Sequence, residues 1–245
     1  MKNFFAGKTV LITGVGKNIG REIAEEFFSK ETNVIVNDIL PVNETEISKK
    51  MLLSERFLFS QGDITSIAYR EKLIKEALEK FSSIDILINN VGIGSEKGFF
   101  DMEPEIMKKS IETNLVAPFF LSQKIAKQMV EKKIKGSIIF ISSIHAKIPS
   151  GNSDYSSTKS ALNMLVKEMA FELGGWGIRV NGIAPGRITD PPVEDKRIPL
   201  GNTSGTSQDV ANAILFLTNN YQSKYITGEI LTIDGGLSLW FDRDQ

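Results

Sequence analysis

The sequence predicts an α/β fold: a doubly wound, Rossmann-like parallel sheet of about seven strands with helices on both faces. Three observations carry this expectation. Short apolar runs rich in β-branched residues recur along the 245 residues, segments with helical spacing separate most of them, and no Pro/Gly/Ser linker interrupts the alternation. Continuous apolar runs suit strands buried on both faces. Strands alternating with helices wind into a parallel sheet through right-handed crossovers.

In chain order, "KTVLIT" supplies the first strand, and Ile19, Ile23, Phe27 and Phe28 then repeat at helical spacing. "NVIVND" and "RFLFS" are the next two strands, and Leu73, Ile74, Ala77, Leu78 and Phe81 mark a further helix. "IDILINN" and "GSIIFISS" follow, then a helix bearing Ala161, Leu162, Leu165, Val166, Met169 and Leu173. "IRVNGIA" and "EILTID" complete the set. Phe99–Phe100 opens the segment before a helix, a place where an aromatic pair is expected in the core or lining the pocket. Residues 184–207 carry Pro185, Pro191, Pro192 and Pro199 and read as a loop. A strand must rejoin the sheet after it, so we expect one domain over 1–245 with a short substrate loop near 187–206.

Composition excludes several classes. A net charge of −1 leaves no electrostatic footprint for nucleic acid or an anionic membrane. There is no cysteine, so disulfides, thiolate catalysis and cysteine–metal sites are ruled out, and His145 alone cannot build a multi-histidine metal site. No stretch is long enough to span a bilayer, and no signal-type cleavage region stands at the start, so a cytoplasmic protein is expected.

"TGVGKNIG", Thr13 to Gly20, lies between the first strand and its helix. Glycines there admit positive φ and let a diphosphate approach the backbone, while the helix N-terminus offers free N–H groups. Gly14, Gly16, Lys17, Asn18, Ile19 and Gly20 are the candidate phosphate cradle. Asn18 replaces a glycine, but asparagine tolerates left-handed geometry and is a good helix cap. Asp38 ends the second strand, where a carboxylate accepts hydrogen bonds from a ribose diol and repels a 2′-phosphate. It favours NAD. Lys17 is the counter-signal, because a cation can pair with that phosphate.

"YSSTK" places Tyr155 and Lys159 on one face of a helix. An ammonium beside a phenol lowers its pKa and lets the pair exchange a proton with a substrate oxygen. Together with "GDIT", "INNVG", "TNLVAPFF", "ISS", "RVNGIAPGRITD" and "ITGEILTIDGG", these motifs occur in an order that resembles the short-chain dehydrogenase/reductase family, of the ordinary single-domain type, almost end to end.

The resemblance implies roles. Tyr155 is the general acid/base, and Lys159 tunes it and bonds the nicotinamide ribose. A serine of "ISS" orients the substrate carbonyl, and Asn114 holds a water linking Lys159 to solvent. Asp63 and Ile64 meet the adenine end, Asn90 and Gly92 line the adenosine ribose side, and Pro185, Gly186, Ile188 and Thr189 hold the nicotinamide. Hydride passes directly to or from the nicotinamide, so no metal is required.

The sequence departs from the family pattern in three places. Asn18 is the first. The second is the interval between "ISS" and Tyr155: counting back points to Ser142, while aligning the strand points to Ser143. Ser143 is preferred, because a loop tolerates a deletion better than a strand tolerates a register slip. The third is the short, proline-bearing lid, which disfavours a helix, predicts an open cleft, and brings Thr189 one residue closer to Pro185–Gly186. His145, two residues after Ser143, is either a substrate contact or a partly exposed loop residue.

These readings predict an NAD(H)-dependent oxidoreductase acting on a secondary alcohol or ketone, small or carrier-linked. An NADPH-dependent carbonyl reductase of the 3-oxoacyl type and a non-catalytic NAD-binding protein are the alternatives. The resemblance also implies a homo-oligomer, a tetramer or dimer, built on helices around 103–133 and 154–173 and on the C-terminal segment.

Overall fold

The computed structural model describes residues 3–239. Residues 1–2 and 240–245 lie outside the described residues, and with them the end of the C-terminal segment assigned above to assembly. The strands are β1 (Thr9–Thr13), β2 (Asn33–Asp38), β3 (Phe57–Gln61), β4 (Ile86–Asn89), β5 (Ser137–Ile141), β6 (Arg179–Pro185) and β7 (Ile230–Ile233). They form one seven-stranded sheet in the order β3-β2-β1-β4-β5-β6-β7, and every adjacent pair is parallel. This is the doubly wound fold that the sequence predicts.

The helices are α1 (Asn18–Ser29), a short α2 (Lys49–Leu52), α3 (Ile67–Phe81), α4 (Pro104–Ile111), α5 (Ala117–Glu131), α6 (Ser153–Leu173) and α7 (Ser207–Thr218). A π-helical stretch, Glu112–Val116, joins α4 to α5. Alternate residues of each strand face opposite sides. Val10, Ile12, Val34 and Val36 meet Ile23 and Phe27 of α1 and Ile214 and Leu217 of α7 on one face. Leu11, Ile35, Leu87 and Phe140 meet Leu73, Leu121, Ile125, Leu162 and Val166 of α3, α5 and α6 on the other. Every residue of β1, β5 and β6 is buried, which explains why those segments read as continuous apolar runs rather than as alternating ones.

Local chemistry fixes the helix ends. Ser66 accepts from the Tyr69 N–H to cap α3, and a reciprocal Thr206–Asp209 capping box opens α7. In contrast, no side chain caps α1, whose N-cap residue is Lys17. Asn18 adopts the left-handed conformation, φ +51°, but is exposed and does not cap the helix, which corrects one of the two roles expected of it.

Phe99 and Phe100 also differ from expectation. They are 79% and 95% exposed and contact each other edge to face with centroids 5.5 Å apart. The whole stretch Glu96–Asp101 runs over the surface, so neither ring reaches the core.

Among the glycines of the described residues the tightest approach is at Gly20, where a Cβ would lie 2.0 Å from the Gly14 carbonyl oxygen and 2.7 Å from Asn90 Nδ2. Backbone cannot yield as a flexible side chain can. Gly20→Ala should therefore destabilise the protein by about 3 kcal/mol in chemical denaturation, the upper part of the range for overpacking. Asn18→Gly, which relieves a positive φ on an exposed residue, should leave stability unchanged or slightly raised.

Candidate active site

Because all strands run parallel, their carboxyl ends line one edge of the sheet. β1 leads into the Gly14–Gly20 turn, β2 ends at Asp38, and β3 leads to Asp63. β4 leads to Asn90–Gly92, β5 to Ser142–Ser143, and β6 to Pro185–Gly186. The chain reverses winding direction between β1 and β4, and ligands of such sheets bind at that switch point. A groove of about 520 Å³ lies there. Gly14, Gly16, Lys17, Asp38, Asp63, Ile64, Asn90 and Gly92, all singled out from sequence, line it. Ile39, Leu40, Val91, Ile93, Lys109 and Thr113 line it too and were missed. The first four lie within two residues of a named motif position. Thr113 opens the "TNLVAPFF" motif beside Asn114, whereas Lys109 is carried in on α4, where no local motif marks it.

The groove has the features a dinucleotide needs. Side-chain-free backbone surrounds it: a Cβ on Gly16 would meet Asp38 Oδ2 at 3.0 Å, and one on Gly14 would meet Val91 Cγ2 at 2.9 Å. With no side-chain cap on α1, its first-turn N–H groups remain available to a phosphate. Asp38 accepts from Gly16 N (2.7 Å) and Leu40 N (3.0 Å), and a carboxylate with two accepted bonds keeps lone pairs for a ribose diol. Asn90 braces the turn, its Nδ2 donating to the Gly14 carbonyl at 2.6 Å. Asp63 Oδ1 accepts from the Thr65 N–H and hydroxyl, which fixes the loop beyond β3.

Gly92 is where the groove meets the polar cluster. A Cβ there would lie 2.9 Å from Lys159 Nζ. Lys159 is 2% exposed, donates to the Ile141 carbonyl at 2.6 Å and sits 5.4 Å from the Tyr155 ring centroid. The Ser143 hydroxyl lies within reach of the Tyr155 phenol and also accepts from the His145 N–H at 3.1 Å. Ser142 points elsewhere: its hydroxyl donates to Asn163 Oδ1 at 2.6 Å. Asn114 is held by three bonds, its Oδ1 accepting from Ile93 N (2.8 Å) and its Nδ2 donating to Ile93 O (2.8 Å) and Thr158 Oγ1 (2.9 Å). His145 is half-buried, and its Nδ1, like Asn152 Oδ1, is buried with no partner.

Burial dominates the electrostatics here. Desolvation pushes the Tyr155 phenol above its ordinary value, and the Ser143 hydroxyl opposes the shift only in part. This corrects the expectation of a lowered phenol. The cause is the burial of the phenol itself; Lys159 is desolvated too, its pKa pulled down to about 8, but it remains mostly an ammonium at neutral pH.

The segment 187–206 contains no helix, in line with its prolines. Bridges at Ile188–Gly205 and Glu194–Thr203 fold it back on itself. Asp195, 5% exposed at its side chain, clasps Arg197 (2.8 Å) and Arg187 (3.0 Å). The Arg197 guanidinium holds the Asp195 carboxyl well below the usual carboxylate range. The Thr189 hydroxyl pairs with Ser204 Oγ at 2.5 Å, and its N–H donates to the Gly205 carbonyl.

The family model for short chain dehydrogenases matches residues 8–198. The chain is 39% identical to the 7alpha-hydroxysteroid dehydrogenase of Escherichia coli (strain K12), covering 94% of each chain. It is 34% identical to an L-rhamnose 1-dehydrogenase (NAD(P)(+)) of Azotobacter vinelandii, covering 94% of this chain and 96% of that one. A short chain dehydrogenase of Leptospira borgpetersenii with bound NAD+ superposes with a TM-score of 0.87 at 31% identity, over 97% and 96% of the two chains. The chain belongs to the short-chain dehydrogenase family. It is an NAD(P)-dependent oxidoreductase acting on CH–OH groups.

Lys159 gives a direct test of the buried charge. Its pKa falls from 10.5 unfolded to about 8 folded, which corresponds to about 3 kcal/mol of destabilisation wherever both states are charged. Below pH 8 that cost is fully present. Between pH 8 and 10.5 only the folded state sheds the proton, and stability recovers. In denaturant titrations the wild type should gain about 2 kcal/mol relative to Lys159→Met between pH 7 and pH 10. A constant difference would show that the amine is solvated.

Proposed function

We propose that the protein is an NAD(H)-dependent oxidoreductase that interconverts a secondary alcohol and a ketone. The observation that carries this reading is the juxtaposition of Tyr155, Ser143 and Lys159 at the Gly92 end of the groove. Gly14, Gly16, Ile19, Gly20, Asp38, Asp63, Ile64 and Asn90 would hold the adenosine diphosphate half of the cofactor, and Pro185, Gly186, Ile188 and Thr189 the nicotinamide half. When bound, the nicotinamide supplies or accepts the hydride.

The chain's own groups do the rest. Tyr155 Oη gives a proton to the substrate oxygen during reduction and takes it back during oxidation. The Ser143 hydroxyl donates a hydrogen bond to that same oxygen and holds it in line. Lys159 stands behind the phenol, and its ammonium stabilises charge as the proton leaves. Asn114 keeps the Ile93 backbone and Thr158 fixed around the pair. His145, whose N–H donates to Ser143 Oγ, would contact the substrate beside that serine. Because burial favours the neutral phenol, the resting site is a proton donor at neutral pH.

Asp38 supports NAD over NADP, since a 2′-phosphate would meet a carboxylate already fixed by two backbone N–H groups. Lys17 lines the same groove and supports the second reading, an NADPH-dependent carbonyl reductase. The protein would assemble as a homo-oligomer through α5 and α6, a reading supported by the exposed Phe120, Met164 and Phe171 on those helices.

Four measurements test these proposals. Tyr155→Phe should lower kcat by at least about a thousandfold, the scale of a lost general acid/base, while NAD affinity is retained. Ser143→Ala should lower kcat far more than Ser142→Ala, and the reverse order would reassign the serine. The ratio of kcat/KM for NAD to that for NADP should exceed one and fall at least about tenfold in Asp38→Ala, because about 1.4 kcal/mol of discrimination is removed. Alcohol oxidation should also accelerate as pH rises from 7 to 10 while reduction slows, because the phenol loses its proton late.

A further inference from the structure

One buried carboxylate takes no part in the chemistry above. Asp154, next to Tyr155 in the first turn of α6, is 0% exposed. Its two oxygens are occupied by two separate elements. Oδ1 accepts from the Ser95 hydroxyl at 3.1 Å, in the loop between β4 and α4, and Oδ2 accepts from the Ser110 hydroxyl of α4 at 2.5 Å. Burial pushes the carboxyl up, but these bonds outweigh it and keep the group ionised below its ordinary value. A charge this deep persists only with such partners.

The arrangement has a geometric consequence. The β4–α4 loop is tied down twice, at Ile93 by Asn114 and at Ser95 by Asp154, and Gly94 lies between the two ties. The ties are linked: Asn114 donates to Thr158 Oγ1, and Thr158 Oγ1 donates to the Asp154 carbonyl at 2.8 Å. Gly94 packs so closely that a Cβ on it would stand 3.1 Å from Tyr155 Cβ. Gly92, two residues earlier, packs in the same way on Lys159 Nζ.

We propose that Asp154 is a positioning residue: through Ser95 it holds the Gly92–Gly94 strip against Tyr155 and Lys159, fixing the reacting pair and keeping water off the phenol. This rests on the reading of Tyr155 as the acid/base. Asp154 touches no reacting atom and acts through the loop. The Ser110 arm only anchors the carboxylate to α4, so the two serines have separable effects.

The experiment compares Asp154→Asn, Ser95→Ala and Ser110→Ala in the full chain with NAD and a secondary alcohol. Asp154→Asn and Ser95→Ala should lower kcat about tenfold, as expected for sub-ångström misplacement, with the NAD dissociation constant within about threefold of wild type. Their alkaline limb of alcohol oxidation should move to lower pH, because a loosened strip admits water to the phenol. Amide hydrogen exchange at residues 92–95 should speed up in both. Ser110→Ala should lower the melting temperature but leave kcat within about twofold. Equal kcat for all three variants, or an unmoved pH profile in Ser95→Ala, overturns the proposal. If the wild type turns over no alcohol or ketone, the reading of the site fails instead. Unchanged exchange at residues 92–95 in Asp154→Asn would still, by itself, refute the clasp.

Discussion

Because every neighbouring pair of strands is parallel, all of the strands deliver their carboxyl ends to one edge. Each loop leaving that edge can then carry one part of a site without any strand bending to reach it. Asp63, Asp38, the glycine turn, Asn90, Ser143 and Pro185 follow the spatial order of β3, β2, β1, β4, β5 and β6 along the edge. Burial on both faces makes the register stiff, since a one-residue slip would move each side chain into the opposite core, where its shape does not fit. The precision of the site is therefore inherited from the packing of Leu11, Ile12, Ile35 and Phe140 rather than from the loops themselves.

Backbone crowding is the second constraint. Gly20 lies against Gly14, Gly92 against Lys159 and Gly94 against Tyr155, so three close contacts depend on missing side chains. They bring main chain to where a cofactor and a reacting pair must meet. They also exclude water, and desolvation then sets the behaviour of the ionisable groups: the phenol is harder to ionise, and the amine is easier to discharge. The charge that remains buried nearby, on Asp154, is balanced by hydroxyl donors rather than by a cation.

The lid follows another logic. It has no helix to give it rigidity, and its proline pair removes backbone donors. Order comes instead from one carboxylate, Asp195, shared between Arg187 and Arg197, and from short bridges that fold the segment back. A clasp of this kind holds a loop in place while leaving both guanidinium groups partly exposed.

Alone, the sequence determined the sheet, its helices and the family, because apolar periodicity and glycine-rich turns are local signals that burial on two faces writes directly into the chain. It also identified most of the groove, since those residues adjoin strand ends. What it could not supply were contacts between distant segments. The exposure of Phe99–Phe100, the turning of Ser142 toward Asn163, the engagement of Asn114 with Ile93 and Thr158, and the presence of Lys109 in the groove all come from how α4, α5 and α6 pack. The direction of the Tyr155 shift was misread from spacing for the same reason. An i,i+4 pair gives proximity, but only the tertiary structure decides how much solvent each group loses, and here desolvation outweighs the Ser143 hydrogen bond.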